Sequence, residues 1–563
     1  MKIFDWGKKK FSKKNWWYWV PGIVMILLLL VFYSKIHNDL NGDLVAYFSV
    51  AKHYQDSNFV QAFNSYWSPL ICWLMALAPT LKENPIGVFR LVNIAVALTI
   101  YYQLFFWVRL VVYQSFSRFL LMLLLVALVV QLALSIGTPD FLSLSCFLLF
   151  LKLLIRYRFY SKQSVLLTLS ILLCYFSKTF LLFLCLGILG LYLIYLFFIL
   201  KKKIAGKQLF IMLLVVFSGL FIWASCLKLH YGFYTLSSSA SVNNSLLSKE
   251  IISLQAPPFE KSLFMWEDPY YIKRTSAYNS SVESIRQFLI KKYTYNFGIT
   301  LYYFRYLSYL WLAILVFPFL GIFQKHDRQW KISLLLFFVF ILNWFGYFLV
   351  FIMERYLIIG QVALYMAVFG YLEILCKAIP EKITAFRIQQ FVFFFVFLCM
   401  LKNPLDELRY GLRTYEGPHH EICQAKHLAD SGILKGKKIA TFYDSKELYD
   451  YLSLACFEGD GKYFGEIWTG KPTTEQRSEM KQQQLDFIVV YDCDLIKDNC
   501  NKKDWLSDYP VVYKDAVMKV KIYDVQRTIG YASQTDYRVP EQIDHLFFRL
   551  CLYPHKQTFT MQQ

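Results

Sequence analysis

The 563-residue chain is 57% hydrophobic and 19% aromatic, with a mean hydropathy of +0.39, which excludes an ordinary soluble protein and points to a polytopic membrane protein. Its net charge of +20 is not the footprint of a nucleic-acid binder: residues 1–401 hold 37 Lys+Arg against 15 Asp+Glu, residues 402–563 hold 22 against 24, and the excess lies beside apolar runs. Membrane lipids are therefore the expected surroundings, and no nucleic-acid partner is expected.

In chain order, Lys2, Lys8, Lys9, Lys10, Lys13 and Lys14 precede an aromatic belt of Trp16, Trp17, Tyr18 and Trp19. The apolar run to about Tyr33 follows with no small-residue cleavage site, so it reads as an uncleaved first span. A polar loop, residues 36–85, comes next and carries Asp39, Asp43 and Asp56 beside His37 and His53. Within it, Trp67 to Leu81 is too short to span and reads as a helix at the interface, with Pro69 in its first turn. Further apolar runs at 86–112, 119–136, 141–155, 165–177, 179–200, 208–228, 305–323, 332–353, 356–376 and 386–401 bring the expected spans to eleven.

The connections alternate. One set carries Arg118; Lys152, Arg156, Arg158 and Lys162; Lys201, Lys202, Lys203 and Lys207; Lys325, Arg328 and Lys331; then Lys377, Lys382 and Arg387. All of these fall on the side of the N-terminus, which is therefore expected in the cytoplasm. Residues 1–402 read as the membrane domain, with a second large outer loop at 229–304. Residues 403–563 then lie outside, where strand patterns at Lys438–Tyr443 and Asp486–Tyr491 alternate with helix patterns at Pro418–Ser431 and Ser445–Phe457. The expected fold is an α-helical polytopic membrane protein with a soluble C-terminal α/β domain. Its outer compartment permits disulfides, and Cys493–Cys500 is the nearest pair.

The outer-facing charges call for a chemistry. Carboxylates close to a bilayer are costly unless they bind or catalyse something. Asp43 suits a helix N-cap as well as a general base. Asp140, in Thr138-Pro139-Asp140, is also a cap candidate, yet it is the only charge in its outer turn. Lys178 opposes the positive-inside pattern; snorkelling to the interface is the simpler account of it. For Glu354-Arg355-Tyr356 the simpler account is a local ion pair. Together these turns offer carboxylates on one side and Lys178 and Arg355 on the other. A base beside a phosphate clamp is what glycosyl transfer from a lipid phosphate needs, and the planar fork of Arg suits a phosphate.

These residues resemble the GT-C type of multispanning, polyprenyl-phosphate-sugar-dependent glycosyltransferases, nearest to the protein-mannosyltransferase and lipid A aminoarabinose-transferase branch. Asp43-Leu44-Val45-Ala46-Tyr47 is similar to that branch's Asp-Glu-x-x-Tyr, with Leu44 in place of Glu and Asp39 the acid left to fill that role. Tyr66-Trp67-Ser68-Pro69-Leu70 is similar to its Lys-Pro-Pro-Leu segment. Pro139-Asp140 is similar to its second acidic motif, Ser177-Lys178-Thr179 to its Thr-Lys-Gly, and Glu354-Arg355-Tyr356-Leu357 to its late Arg-Tyr-Leu. The likeness covers roughly residues 15–400.

The resemblance implies an inverting transfer of a hexose or pentose from a polyprenyl-phosphate donor to a glycan, lipid or protein acceptor, at the outer face of a bacterial inner membrane. Asp43 would be the base, with Asp140 and Asp39 as further catalytic candidates. Lys178, Arg355, Tyr356 and Arg90 would hold the donor phosphate; Arg90 is otherwise an interfacial anchor. Tyr47, His53, Glu354, Trp266, Glu267 and Asp268 complete the candidates. A divalent metal ion near the acids is left open, and no other cofactor is called for. A polysaccharide polymerase or ligase, which would rely on outer arginines, is the alternative closest in chemistry. A transporter would need polar or broken helices at midmembrane, and a structural or sensory protein would need none of these charges.

Overall fold

Apolar runs in lipid must satisfy their own backbone N–H and C=O groups, and here they do so as helices. The computed structural model describes residues 16–33, 40–135, 137–157, 160–194, 206–239, 242, 251–252, 254–272, 274–275, 282–306, 328–350, 352–377, 382–413, 416–442, 446–468, 472–491, 504–515 and 520–527. The helices are α1 (Trp16–Phe32), α2 (Gly42–Gln55), α3 (Phe59–Ala62), α4 (Pro69–Ala76), α5 (Pro85–Val111), α6 (Ser115–Ser135), α7 (Asp140–Ile155), α8 (Ser161–Ser177), α9 (Phe180–Ile194) and α10 (Gly206–Tyr231). They continue with α11 (Val282–Tyr306), α12 (Arg328–Val350), α13 (Ile358–Lys377), α14 (Lys382–Arg413), α15 (Glu416–Asp430), α16 (Lys446–Gly459) and α17 (Thr473–Gln482).

Eleven spans were expected from the apolar runs, and among the described residues six helices are long and apolar enough to cross a membrane: Pro85–Val111, Ser115–Ser135, Lys207–Tyr231, Gln329–Leu349, Arg355–Lys377 and Phe386–Arg409. The difference is one of length. Helices α1, α8 and α9 are apolar but shorter, and α7 has 16 residues. Sixteen residues at ~1.5 Å each reach about 24 Å, short of a hydrocarbon core of about 30 Å. The run 305–323 lies almost wholly outside the described residues, as do Cys493 and Cys500. Within the expected second outer loop, Val282–Tyr306 is helical.

The chain divides into two compact units: Met1–Asp39, Tyr54–Ser248 and Tyr278–Arg413 form the first; Leu40–His53, Lys249–Ala277 and Thr414–Gln563 form the second. In the first, α13 is the central helix, buried along nearly its whole length and packed by α12, α5, α6, α7 and α14. Close approach of helices is bought with small residues, as at Gly346 on α12, where a Cβ would stand 2.5 Å from the Phe180 ring. In the turn between α5 and α6, the Tyr113 N–H donates to both carboxylate oxygens of buried Glu373 at 2.7 and 3.0 Å, so the one acid within the expected spans satisfies a turn amide. By contrast, α10 turns Phe210, Leu214, Phe217, Phe221 and Ile222 outward, the composition of a lipid-facing stripe.

The second unit is built on a five-stranded sheet. Its strands follow a short antiparallel pair, β1 (Ile251–Ile252) with β2 (Arg274–Thr275). They are β3 (Lys438–Phe442), β4 (Lys462–Ile467), β5 (Phe487–Tyr491), β6 (Val511–Asp515) and β7 (Val520–Asp524), in the order β4-β3-β5-β7-β6. The β3 strand pairs in parallel with β4 and β5, whereas β7 is antiparallel to β5 and β6. Ala440, Phe442, Ile467, Ile488 and Val490 form part of its core, as runs of apolar residues bounded by turns should. The outer edge of β4 is covered by the segment around 255–264: Gln255 N donates to Phe464 O at 3.2 Å, Tyr463 N donates to Leu263 O at 2.8 Å, and the Phe264 and Tyr463 rings stack at 6.0 Å. An open strand edge is thereby closed by a segment from far earlier in the chain.

Candidate functional site

In the first unit, the carboxylate of Asp140 stands in the first turn of α7, 6% exposed. Thr138 Oγ1 donates to its Oδ2 at 2.6 Å. Lys178 Nζ donates to its Oδ1, and Arg355 Nε lies 4.0 Å from Oδ2. Lys178 is in this place because α8 stops at Ser177 and α9 begins at Phe180, leaving an extended residue between two helices whose backbone N–H still reaches Cys174 O at 2.9 Å. Arg355 and Tyr356 belong to a single 3₁₀ turn, Glu354–Leu357, that leads into α13.

An aromatic floor supports the two cations. Lys178 Nζ lies 3.6 Å from the centroid of the Tyr356 ring and 5.3 Å from that of Tyr347; Arg355 Cζ lies 5.5 Å from the Tyr356 ring. Tyr347 and Tyr356 stack at 4.9 Å, and Phe180 meets Tyr347 at 3.9 Å. Thus Asp140, Lys178, Arg355 and Tyr356, four residues singled out from three separated motifs, form one group. Lys178 is not a snorkelling side chain: only 19% of it is exposed and it is paired to a buried acid. Arg355 likewise reaches toward Asp140, and the side chain of Glu354 lies outside what is described. Sequence reasoning missed Thr138 as a partner of Asp140, and it missed Tyr347, a buried aromatic in an aromatic-rich helix with no local mark.

The second unit holds the other group. Helix α2 carries Asp43 in its first turn, but Asp43 is not its cap: the Asn41 side chain accepts from the Asp43 N–H at 2.9 Å and fills that role. The Gly42 N–H donates to Asp450 Oδ1 at 2.5 Å. Farther along α2, Ser49 Oγ donates to Glu267 Oε2 at 2.5 Å, and His53 Nε2 lies 2.7 Å from Glu267 Oε1, which also accepts from Ser262 Oγ at 2.5 Å. Glu267 is 1% exposed. Burial pushes its carboxyl up, but the hydrogen bond and charge of His53 and the two hydroxyls outweigh burial and hold it below its ordinary value of 4.5.

The remaining candidates are placed separately. Asp268 is fully buried and accepts from Tyr270 N at 3.1 Å, capping the short turn Pro269–Tyr271; Trp266 is half-buried in the turn Met265–Glu267, and Tyr47 is buried on α2. The Arg90 guanidinium sits 5.7 Å from the Tyr33 ring centroid. Asp39 lies outside the described residues. Among the described residues, no three His, Cys, Asp or Glu side chains come together to hold a metal, and Asp140 is surrounded by cations. That donor set does not fit a divalent ion.

These helices and the appended sheet make a polytopic helical fold that is also found among solved structures. Among solved structures, the chain superposes on ArnT from Cupriavidus metallidurans bound to undecaprenyl phosphate, with a TM-score of 0.55 at 9% identity over 90% of this chain and 98% of that one. The apo state of the same protein superposes with a TM-score of 0.52 at 8% identity over 91% and 98%. An oligosaccharyltransferase from Archaeoglobus fulgidus superposes more loosely, with a TM-score of 0.46 at 9% identity over 86% of this chain and 70% of its own. No family model matches the sequence, and no curated protein does.

Proposed function

We propose that this protein moves a hexose or pentose from a polyprenyl-phosphate donor to a glycan, lipid or protein acceptor at the outer face of a bacterial inner membrane. The observation that carries the reading is the pairing of Lys178 and Arg355 around Asp140 over the face of Tyr356. Two cations held side by side at helix ends suit the oxygens of a phosphomonoester or phosphodiester. The solved structure of ArnT, with the same fold, is one bound to undecaprenyl phosphate.

In this reading Lys178 and Arg355 take the donor phosphate, and Asp140 keeps both side chains in place before it arrives. Asp43, on the strength of its motif, is the general base. It accepts the proton of the acceptor hydroxyl or amine as that atom bonds to the anomeric carbon. The anomeric C–O bond to phosphate breaks, and its electron pair leaves with the polyprenyl phosphate, whose charge the two cations balance. Inversion follows from the single displacement.

The test is direct. Membranes carrying the protein are given radiolabelled undecaprenyl-phosphate sugars, one hexose or pentose at a time, and label is followed into polymer, lipid and protein fractions. Asp43→Asn keeps the side-chain shape and should lower turnover by ~10²–10⁴, the range for a lost general base. Transfer at the wild-type rate in Asp43→Asn, or no transfer of any sugar by the wild-type protein, would refute the reading.

A further inference from the structure

We infer that Glu267 is the positioning residue for α2, and through α2 for Asp43, so that the C-terminal sheet aligns the proposed base. The inference rests on the reading of Asp43 as a base, but its structural links are all within the second unit and can be followed one by one.

The first link is the sheet edge. Backbone pairing of Tyr463 with Leu263 and stacking of Phe264 on the Tyr463 ring fix the chain where it enters the turn Met265–Glu267. Lys462 Nζ adds a hydrogen bond to Glu260 O at 2.7 Å. The fit is close enough that β4 needs Gly465 beneath Met265: its φ is +99°, and a Cβ there would stand 2.1 Å from Met265 Sδ.

The second link is the carboxylate. Three side chains donate to Glu267, and two of them, Ser49 and His53, are one turn apart on one face of α2. A carboxylate accepts at both oxygens, so it can take all three; an amide in its place would turn a donor toward one of them.

The third link is the helix. At 14 residues α2 is too short to be stable by its own propensity, so its direction is set by its attachments. Within the unit these include Glu267 toward one end, Asp450 at the other and, between them, the Phe48 ring 5.9 Å from that of Phe457. Asp43 stands six residues before Ser49, about 9 Å along the axis. A tilt of about 6° at Ser49 would carry the start of the helix through roughly 1 Å, a displacement that can cost ~10²-fold in rate.

The experiment uses the full-length protein in lipid nanodiscs and two readouts. Hydrogen–deuterium exchange of Glu267→Gln should be faster in residues 42–55 and unchanged in β3. With the labelled polyprenyl-phosphate sugar that the wild-type protein uses, kcat should fall ~10²-fold while the donor KM stays within about threefold. If Glu267→Gln does not accumulate, Ser49→Ala removes one donor and should show the same pattern with about a tenfold loss. Unchanged exchange in α2, equal acceleration in β3, or a rise in KM with kcat intact overturns the inference. Failure of the base reading is seen separately, as wild-type turnover in Asp43→Asn, and does not alter the exchange result.

Discussion

Replacing Lys178 by Met removes an ammonium while keeping an unbranched apolar stem over Tyr356, so charge is tested with little change of volume. Two consequences can be sized from the geometry. Asp140 is 6% exposed and loses its direct partner, keeping Thr138 at 2.6 Å and Arg355 at 4.0 Å. Breaking a fully buried pair costs ~3–5 kcal/mol; with Arg355 still close and Lys178 partly exposed, about 1–3 kcal/mol is expected here. On the proposed reading, the donor phosphate loses one charge-assisted hydrogen bond, about 1.5–3 kcal/mol, or roughly 10- to 10²-fold in donor affinity.

The two effects come apart in a double variant. Adding Asp140→Asn to Lys178→Met removes the orphaned charge and should return thermal stability toward wild type, yet leave donor binding weak. The assay is a titration of initial rate against labelled undecaprenyl-phosphate sugar, alongside thermal unfolding of each variant in detergent. If Lys178→Met folds normally and its donor KM stays within about twofold of wild type, the clamp does not exist.

Arg355→Lys should restore only part of the donor affinity lost in Arg355→Ala, because an ammonium cannot reproduce the bidentate fork; full rescue in the same titration would argue against two-oxygen recognition. Because the Glu267 carboxyl is held below its ordinary 4.5, its contribution to stability is complete above that pH and is lost as pH falls through the lowered folded value. Exchange in α2 should therefore accelerate below about pH 4.5 in wild type, and the acid dependence should flatten in Glu267→Gln; identical profiles would remove Glu267 from the linkage. Reporter fusions at Lys203 and Gly436 should report opposite sides of the membrane, and agreement between them would put the span count in error by one.

Much of this architecture was legible in the sequence, because helices in lipid and strands in a buried sheet both leave local patterns. The break at Lys178 was readable as a polar residue in an apolar stretch, and α8 and α9 do part there. Strands were visible at Lys438 and Phe487 as short apolar runs between turn signals. What could not be read was partnership across distance. Ser49 and Glu267 are 218 residues apart, and nothing near either residue announces the other. Asp43 was mistaken for a cap candidate because Asn41, equally able to cap, lies only two positions earlier. Span count differs for another reason: the apolar runs at 141–155 and 165–177 fold as α7 and α8, helices of 16 and 17 residues, short of the ~20 that a span ordinarily needs.

The assignment of Leu40–His53, nearly all of α2, to the same unit as the C-terminal sheet has a consequence for how the protein is made. About 380 residues separate Gln55 from Lys438, and at ~5–20 residues per second a ribosome needs about 20–80 s to bridge them. During that interval α2 exists without the sheet whose edge segment will carry Glu267 to it, and 14 residues do not hold a helix alone. The segment that bears the proposed base is thus one of the first parts of the chain to be synthesised and one of the last to be finished. A nascent chain stopped before its tail would have its membrane helices and an α2 without Glu267 and Asp450 in place, so the transfer proposed for Asp43 would have to await the tail.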